Sequence, residues 1–198
     1  MSFHPEPEAA VAEAEFAQEN APEREALKRQ LLRRIDAIAH PSAIFALSSS
    51  GLLMTRSATR LPPSRRCVIG HPFNPPHLVP LVEVVSGAQT GSATVERTLA
   101  IYKALGKRPI HIRREVRGHV ANRLQAALWR EAVHLVGEGV ASVADIDTAI
   151  SEGPGLRWAL MGPHLTFHLA AAPAELIISS ISSPAQSKAG SRISAVPG

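Results

Sequence analysis

Apolar residues at helical spacing define the first element that the sequence predicts. They recur every three or four positions, as one face of an amphipathic helix does, at Leu27, Leu31, Ile35 and Ile38. Asn20, followed by Pro22 and Glu23, supplies the residue types that begin helices. We expect a helix from Asn20 to about Ala39, and we expect the cations between its apolar positions, Lys28 among them, to form a solvated face.

Short apolar runs follow, and they predict strands buried on both faces of a sheet. The three runs are residues 43–47, 67–69 and 81–85. A proline-rich segment at residues 71–76 predicts a rigid loop between the last two strands. Residues 92–105 have helical character, and residues 108–112 predict an edge strand because Pro109 cannot donate a hydrogen bond to a neighbour. This mixture of strands and helices predicts an α/β fold.

Only helices are predicted after Gly118. A helical stripe runs from Val120 to Val136, Ser142 is suited to cap a further short helix, and residues 153–155 (GPG) break it. From Ala170 onward the sequence becomes a mixture of Ser, Pro and Gly with little periodicity, which is typical of a disordered tail. These changes predict three parts, at residues 1–117, 118–169 and 170–198.

Composition and charge argue against a nucleic-acid-binding, membrane-spanning or secreted protein. The formal net charge is +4, but the basic pairs are scattered and no aromatic residues interleave with them, which argues against nucleic acid. No apolar run approaches the roughly 18 residues of a membrane helix, and the first twenty residues are acidic, unlike a signal peptide. The single cysteine, Cys67, follows the pattern of a buried strand. We therefore expect a cytoplasmic protein. The histidines show no metal-ligand spacing with the cysteine, so we expect no metal site.

A few polar residues stand where chemistry is plausible. His71 opens the rigid loop, and its side chain is the one whose usual pKa, about 6.5, suits proton transfer near neutrality. Glu83 could orient such an imidazole. A predicted strand is followed by the hydroxyls of Ser48 to Ser50, and a predicted helix begins near Asn122. Each has an ordinary alternative: a structural histidine before proline, a solvated carboxylate, a polar turn and a helix cap.

Five motifs in a fixed order favour the catalytic interpretation of these residues over the ordinary one. They are residues 47–52 (LSSSGL), 70–75 (GHPFNP), 80–85 (PLVEVV), 105–109 (LGKRP) and 118–124 (GHVANRL). Together they resemble the 3-hydroxyacyl-CoA dehydrogenase family, over roughly residues 3–169. The doubled proline at 75–76, with residues 153–157 (GPGLR) and 161–163 (MGP), most resembles the branch of L-gulonate 3-dehydrogenase, lambda-crystallin and carnitine dehydrogenase.

The resemblance implies hydride transfer between NAD and the hydroxyl-bearing carbon of a 3-hydroxy acid or its acyl-CoA thioester, as in fatty acid metabolism. By position in the motifs, His71 would be the acid/base and Glu83 its partner. Ser50 and Asn122 would contact the reacting oxygen or the nicotinamide region. The positions on the cofactor side would be Glu19, Arg24, Ser50 and Asn74.

The chain departs from the family pattern at both ends. The Gly-x-Gly-x-x-Gly turn that receives the pyrophosphate is not in the sequence. We expect a truncated enzyme with the second half of a Rossmann-type domain, the start of an all-helical domain, and poor binding of NAD by the chain alone. The helices that form the family's homodimer interface are not recognisable after residue 169, where a shifted reading frame would explain the composition.

Two alternative functions share part of this sequence pattern. A non-enzymatic structural or interaction remnant of the same family would share the motifs without binding the cofactor. A decarboxylating hydroxy-acid dehydrogenase would need a catalytic lysine on the helix after the boundary, and residues 118–140 contain no lysine. The second reading is therefore weak.

Overall fold

Five strands form one sheet in the order in which they occur in the chain. They are β1 (Phe16–Glu19), β2 (Ile44–Leu47), β3 (Cys67–Pro72), β4 (Leu81–Val85) and β5 (Arg108–Ile112). β1, β2 and β3 are parallel, β4 is antiparallel to β3, and β5 is parallel to β4. The structure, a computed structural model, describes residues 2–57 and 65–170. The predicted α/β class is confirmed.

Helices cover both faces of this sheet. They are α1 (Pro7–Val11), α2 (Glu25–Asp36), α3 (Met54–Ser57) and α4 (Ser92–Ala104). Side chains alternate along each strand, so Phe45 and Leu47 pack with residues of α1, α2 and α3, while Ile44 and Ala46 pack with residues of α4. All four residues of β2 are buried, which explains why its sequence is apolar without alternation.

Glycine at position 70 lets α4 approach β3. A Cβ atom there would overlap the Tyr102 hydroxyl, which donates a hydrogen bond to Gln18. The Gln18 amide in turn donates to the Gly70 carbonyl at 3.1 Å and to the Ser48 hydroxyl at 2.7 Å. Burial raises the pKa of Tyr102. These contacts tie α4 to the ends of β1, β2 and β3.

Several expectations were wrong in detail. α2 begins at Glu25, after Arg24, instead of at Asn20, whose side chain accepts a hydrogen bond from the Ser48 hydroxyl at 2.5 Å. Of the predicted stripe, Ile35 is buried and Leu31 packs against the core, whereas Leu27 and Ile38 are exposed; Lys28 and Leu32 complete the buried face. β3 extends through two residues that were expected to lie in the proline-rich loop. The pattern did not predict β1, α1 or α3.

The other predicted strands and helices are confirmed. They include the edge position of β5, the buried thiol of Cys67 and the helix α4. The later helices are α5 (Ala121–Gly137), α6 (Val143–Ser151), α7 (Pro154–Trp158) and α8 (Pro163–Ala170). Ser142 caps α6 through a reciprocal pair of hydrogen bonds with Asp145, as its position predicts.

Contacts divide the chain into two compact units, Met1–Trp129 and Arg130–Gly198, with the dividing point inside α5. The domain boundary expected near Arg117 stays a prediction. The predicted tail, apart from Ala170, lies outside the described residues. None of the helices in the described ranges combines the length and hydropathy that a membrane crossing requires.

Candidate functional site

The carboxyl ends of three parallel strands meet at one edge of the sheet, and this edge carries most of the predicted site. Glu19 ends β1, Ser48 to Ser50 follow β2, and His71 is the fifth residue of β3. The antiparallel strand β4 brings Glu83 directly opposite His71. Ligands of open α/β sheets bind outside the carboxyl ends of the strands, so this edge is the candidate active site.

His71 and Glu83 are in direct contact. The distance between His71 Nδ1 and Glu83 Oε2 is 3.0 Å, the Glu83 side chain is completely buried, and the His71 side chain is 12% exposed. The second carboxylate oxygen, Oε1, accepts hydrogen bonds from the backbone N–H groups of Val120 and Ala121, each at 2.9 Å. Glu83 therefore joins the imidazole to the N-terminal end of α5.

This arrangement determines the protonation of His71. Two backbone N–H groups donate to Oε1, which suits the ionised form of Glu83, and an ionised carboxylate can only accept a hydrogen bond from Nδ1. The proton of the neutral His71 ring then lies on Nδ1. Nε2 has no hydrogen-bond partner within the described residues, so its lone pair is available to accept a proton.

The turn before α5 uses two residues in the left-handed region. Gly118 has φ 74° and His119 has φ 49°, a conformation that glycine adopts freely and other residues adopt rarely. This turn directs the N–H groups of Val120 and Ala121 toward Glu83. His119 itself is 1% exposed, and the sequence reading had not included it in the site.

The segment after β2 is held by the carboxylate of Glu23, which lies two residues before α2. Glu23 Oε1 accepts hydrogen bonds from the Ser49 hydroxyl at 2.5 Å and from the N–H groups of Gly51 and Leu52 at 3.0 and 3.2 Å. Burial alone would raise the pKa of Glu23, but these hydrogen bonds and the nearby Lys28 ammonium outweigh it and lower the pKa. Ser50 is exposed, and its hydroxyl makes no hydrogen bond within the described residues.

Glu19 lies in a buried ion pair. Its Oε2 is 2.7 Å from Lys28 Nζ, and its Oε1 accepts a hydrogen bond from the N–H of Ala21. Lys28 is fully buried and also donates to the Ala21 carbonyl at 3.0 Å. The expectation that Lys28 belongs to a solvated face is wrong, because the buried face of α2 passes through position 28.

Three other predicted residues, Asn122, Arg24 and Asn74, make no hydrogen bond or ion pair with His71 or Glu83 in the structure. Asn122 is the second residue of α5, directly after one of the N–H donors to Glu83, and is half-buried. Arg24 precedes α2 and Asn74 follows β3, and both are exposed. The side chains of these three residues make no hydrogen bond within the described part of the chain.

Sequence reasoning missed three residues that build this edge: Glu23, Lys28 and His119. Glu23 was interpreted as part of a helix start and Lys28 as a surface cation. Only the position of His119 inside the fifth motif, beside Asn122, gave a signal that could have found it.

Comparisons with known proteins identify the family of the chain. The model of the 3-hydroxyacyl-CoA dehydrogenase NAD binding domain matches residues 1–116, and the model of the C-terminal domain of the same family matches residues 118–187. The chain is 55% identical over 170 residues to an L-carnitine dehydrogenase of Burkholderia mallei, covering 86% of this chain and 53% of that protein. It is 56% identical over 163 residues to one of Streptomyces coelicolor, covering 82% of this chain and 51% of that protein.

Solved structures give the same picture. A 5-formyl-3-hydroxy-2-methylpyridine 4-carboxylic acid 5-dehydrogenase, described as an NAD+ dependent dismutase, is 33% identical with a TM-score of 0.83, covering 98% of this chain and 62% of that chain. The 3-hydroxybutyryl-CoA dehydrogenase of Escherichia coli K12 is 30% identical with a TM-score of 0.70, covering 74% of this chain and 31% of that chain. The present chain spans about half the length of the curated relatives it matches. Because the two family models together match most of its residues, the chain belongs to the 3-hydroxyacyl-CoA dehydrogenase family.

Proposed function

We propose that this chain contributes the acid/base half of an active site that oxidises the hydroxyl of a small 3-hydroxy acid, or of its CoA thioester, with NAD. The observation that carries the proposal is the contact of His71 with the buried Glu83, which the start of α5 holds in place. A base of this kind is what the oxidation of a secondary alcohol requires, because the hydroxyl proton leaves as the hydride is transferred.

His71 Nε2 is the atom that would take the hydroxyl proton. Nδ1 keeps its own proton in the hydrogen bond to Glu83, so the ring becomes an imidazolium beside a carboxylate. Glu83 stabilises that cation and is itself stabilised by two N–H groups at a helix N-terminus. In the reverse direction the same Nε2 returns the proton to the oxygen.

NAD supplies the hydride acceptor when it is bound. The exposed side chains at the carboxyl ends of the strands suit such a ligand: the Ser50 hydroxyl, the Asn74 amide and the Arg24 guanidinium are uncommitted to other described residues and offer donors for an amide or a phosphate. Ser50 and Asn122 would also donate to the oxygen of the substrate without adding charge. Glu19 remains part of this proposal, although a ligand there would have to share it with Lys28.

L-carnitine is the first substrate to test. It is a small 3-hydroxy acid, and the relatives that are about half identical to this chain are named L-carnitine dehydrogenases. We also propose that the reaction takes place in the cytoplasm. The sequence has one cysteine, the buried Cys67, so it can form no internal disulfide of the kind common in secreted proteins. The family's homodimer stays a prediction.

The test uses a hybrid enzyme together with the chain itself. In the hybrid, this chain replaces the matching 170-residue segment of the Burkholderia mallei enzyme. We expect NADH formation from L-carnitine by the hybrid, and we expect His71→Gln to reduce kcat by about 10²- to 10⁴-fold while NAD still binds. His111→Gln, on the exposed edge strand β5, is the matched control.

Three outcomes of the hybrid experiment would contradict parts of the proposal. Activity that survives His71→Gln would remove the proposed base. A folded hybrid that binds NAD but oxidises neither L-carnitine nor 3-hydroxybutyryl-CoA would exclude both proposed substrate classes. A folded hybrid that binds no NAD would favour the non-enzymatic reading of the chain.

A further inference from the structure

His119 is a buried imidazole that the proposed reaction does not use. It is 1% exposed, and its backbone has φ 49°, in a region where residues other than glycine are strained. Strained backbone of this kind persists where the surrounding structure enforces it, and it is concentrated at functional sites. The side chain therefore needs an explanation beyond the filling of space.

The two ring nitrogens of His119 differ sharply. Nε2 is 2.7 Å from the carbonyl oxygen of Ser49, and a carbonyl only accepts hydrogen bonds, so Nε2 carries a proton. Nδ1 is buried and has no partner within the described residues. A second proton on Nδ1 would bury an unpaired charge, which is costly. The ring is therefore neutral and acts as a donor to Ser49.

The other side of the ring faces the proposed base. The ring centroids of His119 and His71 are 5.3 Å apart, with the planes inclined by 56°. The two residues after His119 supply the N–H groups that bind Glu83. One residue thus contacts the segment after β2, packs beside His71 and precedes the donors that hold its partner.

Ser49 is held from two directions. Glu23 accepts a hydrogen bond from the Ser49 hydroxyl, and His119 donates a hydrogen bond to the Ser49 carbonyl. Ser50 follows immediately, with an exposed hydroxyl. We propose that His119 is a positioning residue whose Nε2–H group fixes Ser49, and through it the Ser50 hydroxyl, relative to His71. The inference rests on the proposed function, in which His71 and Ser50 act on the same oxygen.

Two substitutions separate the donor from the ring. His119→Phe keeps an aromatic ring but has no donor, whereas His119→Gln keeps a donor at similar reach without the ring. In the 198-residue chain, amide hydrogen exchange measured by NMR at Gly51 and Leu52 reports the position of the segment, since both N–H groups bond to Glu23. We expect exchange there to become about tenfold faster in the Phe variant and to change less than twofold in the Gln variant, the effect of one hydrogen bond. His111→Phe is the control for the replacement of an imidazole by a phenyl ring.

The hybrid enzyme provides the second readout. We expect His119→Phe to lower kcat about tenfold, and we expect His119→Gln to keep kcat within about twofold of the parent hybrid. The inference is overturned if the Phe variant keeps both the exchange rates and kcat, or if Gln fails as badly as Phe while both remain folded. An inactive parent hybrid would count against the proposed function alone, and the exchange rates would still decide the role of His119.

Discussion

Glu83 connects His71 to the beginning of α5. One carboxylate oxygen is 3.0 Å from His71 Nδ1, and the other accepts two backbone hydrogen bonds of 2.9 Å. Burying a carboxylate is costly unless all of its hydrogen bonds are made, and here the partners are the candidate base and the N-terminus of a helix. The side chain that orients the base is therefore also the side chain that positions the helix on which Asn122 lies.

Replacement of Glu83 by Gln is expected to reverse the tautomer of His71. The Gln carbonyl can still accept from the two N–H groups of α5, which leaves its amide group facing Nδ1. Nδ1 must then accept a hydrogen bond, the ring proton moves to Nε2, and the base is lost. We expect kcat of the hybrid to fall by about 10²- to 10⁴-fold, and ¹⁵N NMR of the chain to show a protonated His71 Nε2.

Glu115→Gln is the matched control for this change. Glu115 also accepts a hydrogen bond from a backbone N–H, that of Thr55 at 2.9 Å, and it accepts one from the Thr55 hydroxyl. It does not contact His71. A Glu83→Gln variant with the original His71 tautomer and unchanged kcat would show that Glu83 only supports the fold.

Strands proved easier to predict than their boundaries, for a local reason. The buried runs that became β2, β3 and β4 are apolar on both faces, so the sequence itself marks them. β1 contains a glutamine and a glutamate among four residues, and its place depends on its pairing with β2. Asn20 looked like a helix cap, but its side chain accepts a hydrogen bond from Ser48, a partner 28 positions away.

In the candidate site, too, the local sequence predicted some residues and missed others. His71 and Glu83 could be paired from the motifs, and their register across two antiparallel strands brings them together. Lys28 and His119 are polar residues that are buried by the way the chain folds around them. The local sequence around each of them therefore does not predict its burial. The apolar stripe of α2 was right at Ile35 but missed Lys28, because a buried lysine interrupts the apolar pattern of the inner face.

Lys28 is expected to be worth far more to stability than a surface cation. Lys28→Met leaves Glu19 buried without its counter-ion, and we expect the free energy of unfolding to fall by about 3–5 kcal/mol in urea denaturation. Lys28→Met combined with Glu19→Gln removes both charges and should recover most of that loss. Arg34→Met on the same helix, where the partners Glu6 and Glu8 are solvent-accessible, should change stability much less. Equal losses for Lys28→Met and Arg34→Met would contradict this account.

Gly70 and Tyr102 are expected to be energetically coupled. Gly70→Ala forces the tyrosine ring away from β3, and overpacking of this kind costs about 1–3 kcal/mol. Tyr102→Phe alone loses the hydrogen bond to Gln18, at about 0.5–1.5 kcal/mol. Because the hydroxyl is the nearest atom to the added methyl, the double variant should lose less than the sum of the two single variants. Simple additivity in a double-mutant cycle of unfolding would show that the ring relaxes without strain.

Glu23 is expected to make the stability of the chain depend on pH in the acid range. Its pKa is lowered in the folded protein from the ordinary value of 4.5, because the hydrogen bonds from Ser49, Gly51 and Leu52 and the charge of Lys28 outweigh the effect of burial. A carboxyl group with a lowered folded pKa contributes stability above its unfolded pKa, and this contribution is lost as the pH falls through the folded pKa. The difference in Tm between the parent chain and Glu23→Gln should therefore be largest above about pH 5 and should shrink as the pH is lowered below about 4. Glu13→Gln, at an exposed position near β1, should show no such trend. A Tm difference for Glu23→Gln that stays constant from neutral to acid pH would mean that the segment carrying Ser50 is held by hydrogen bonds that do not need the charge.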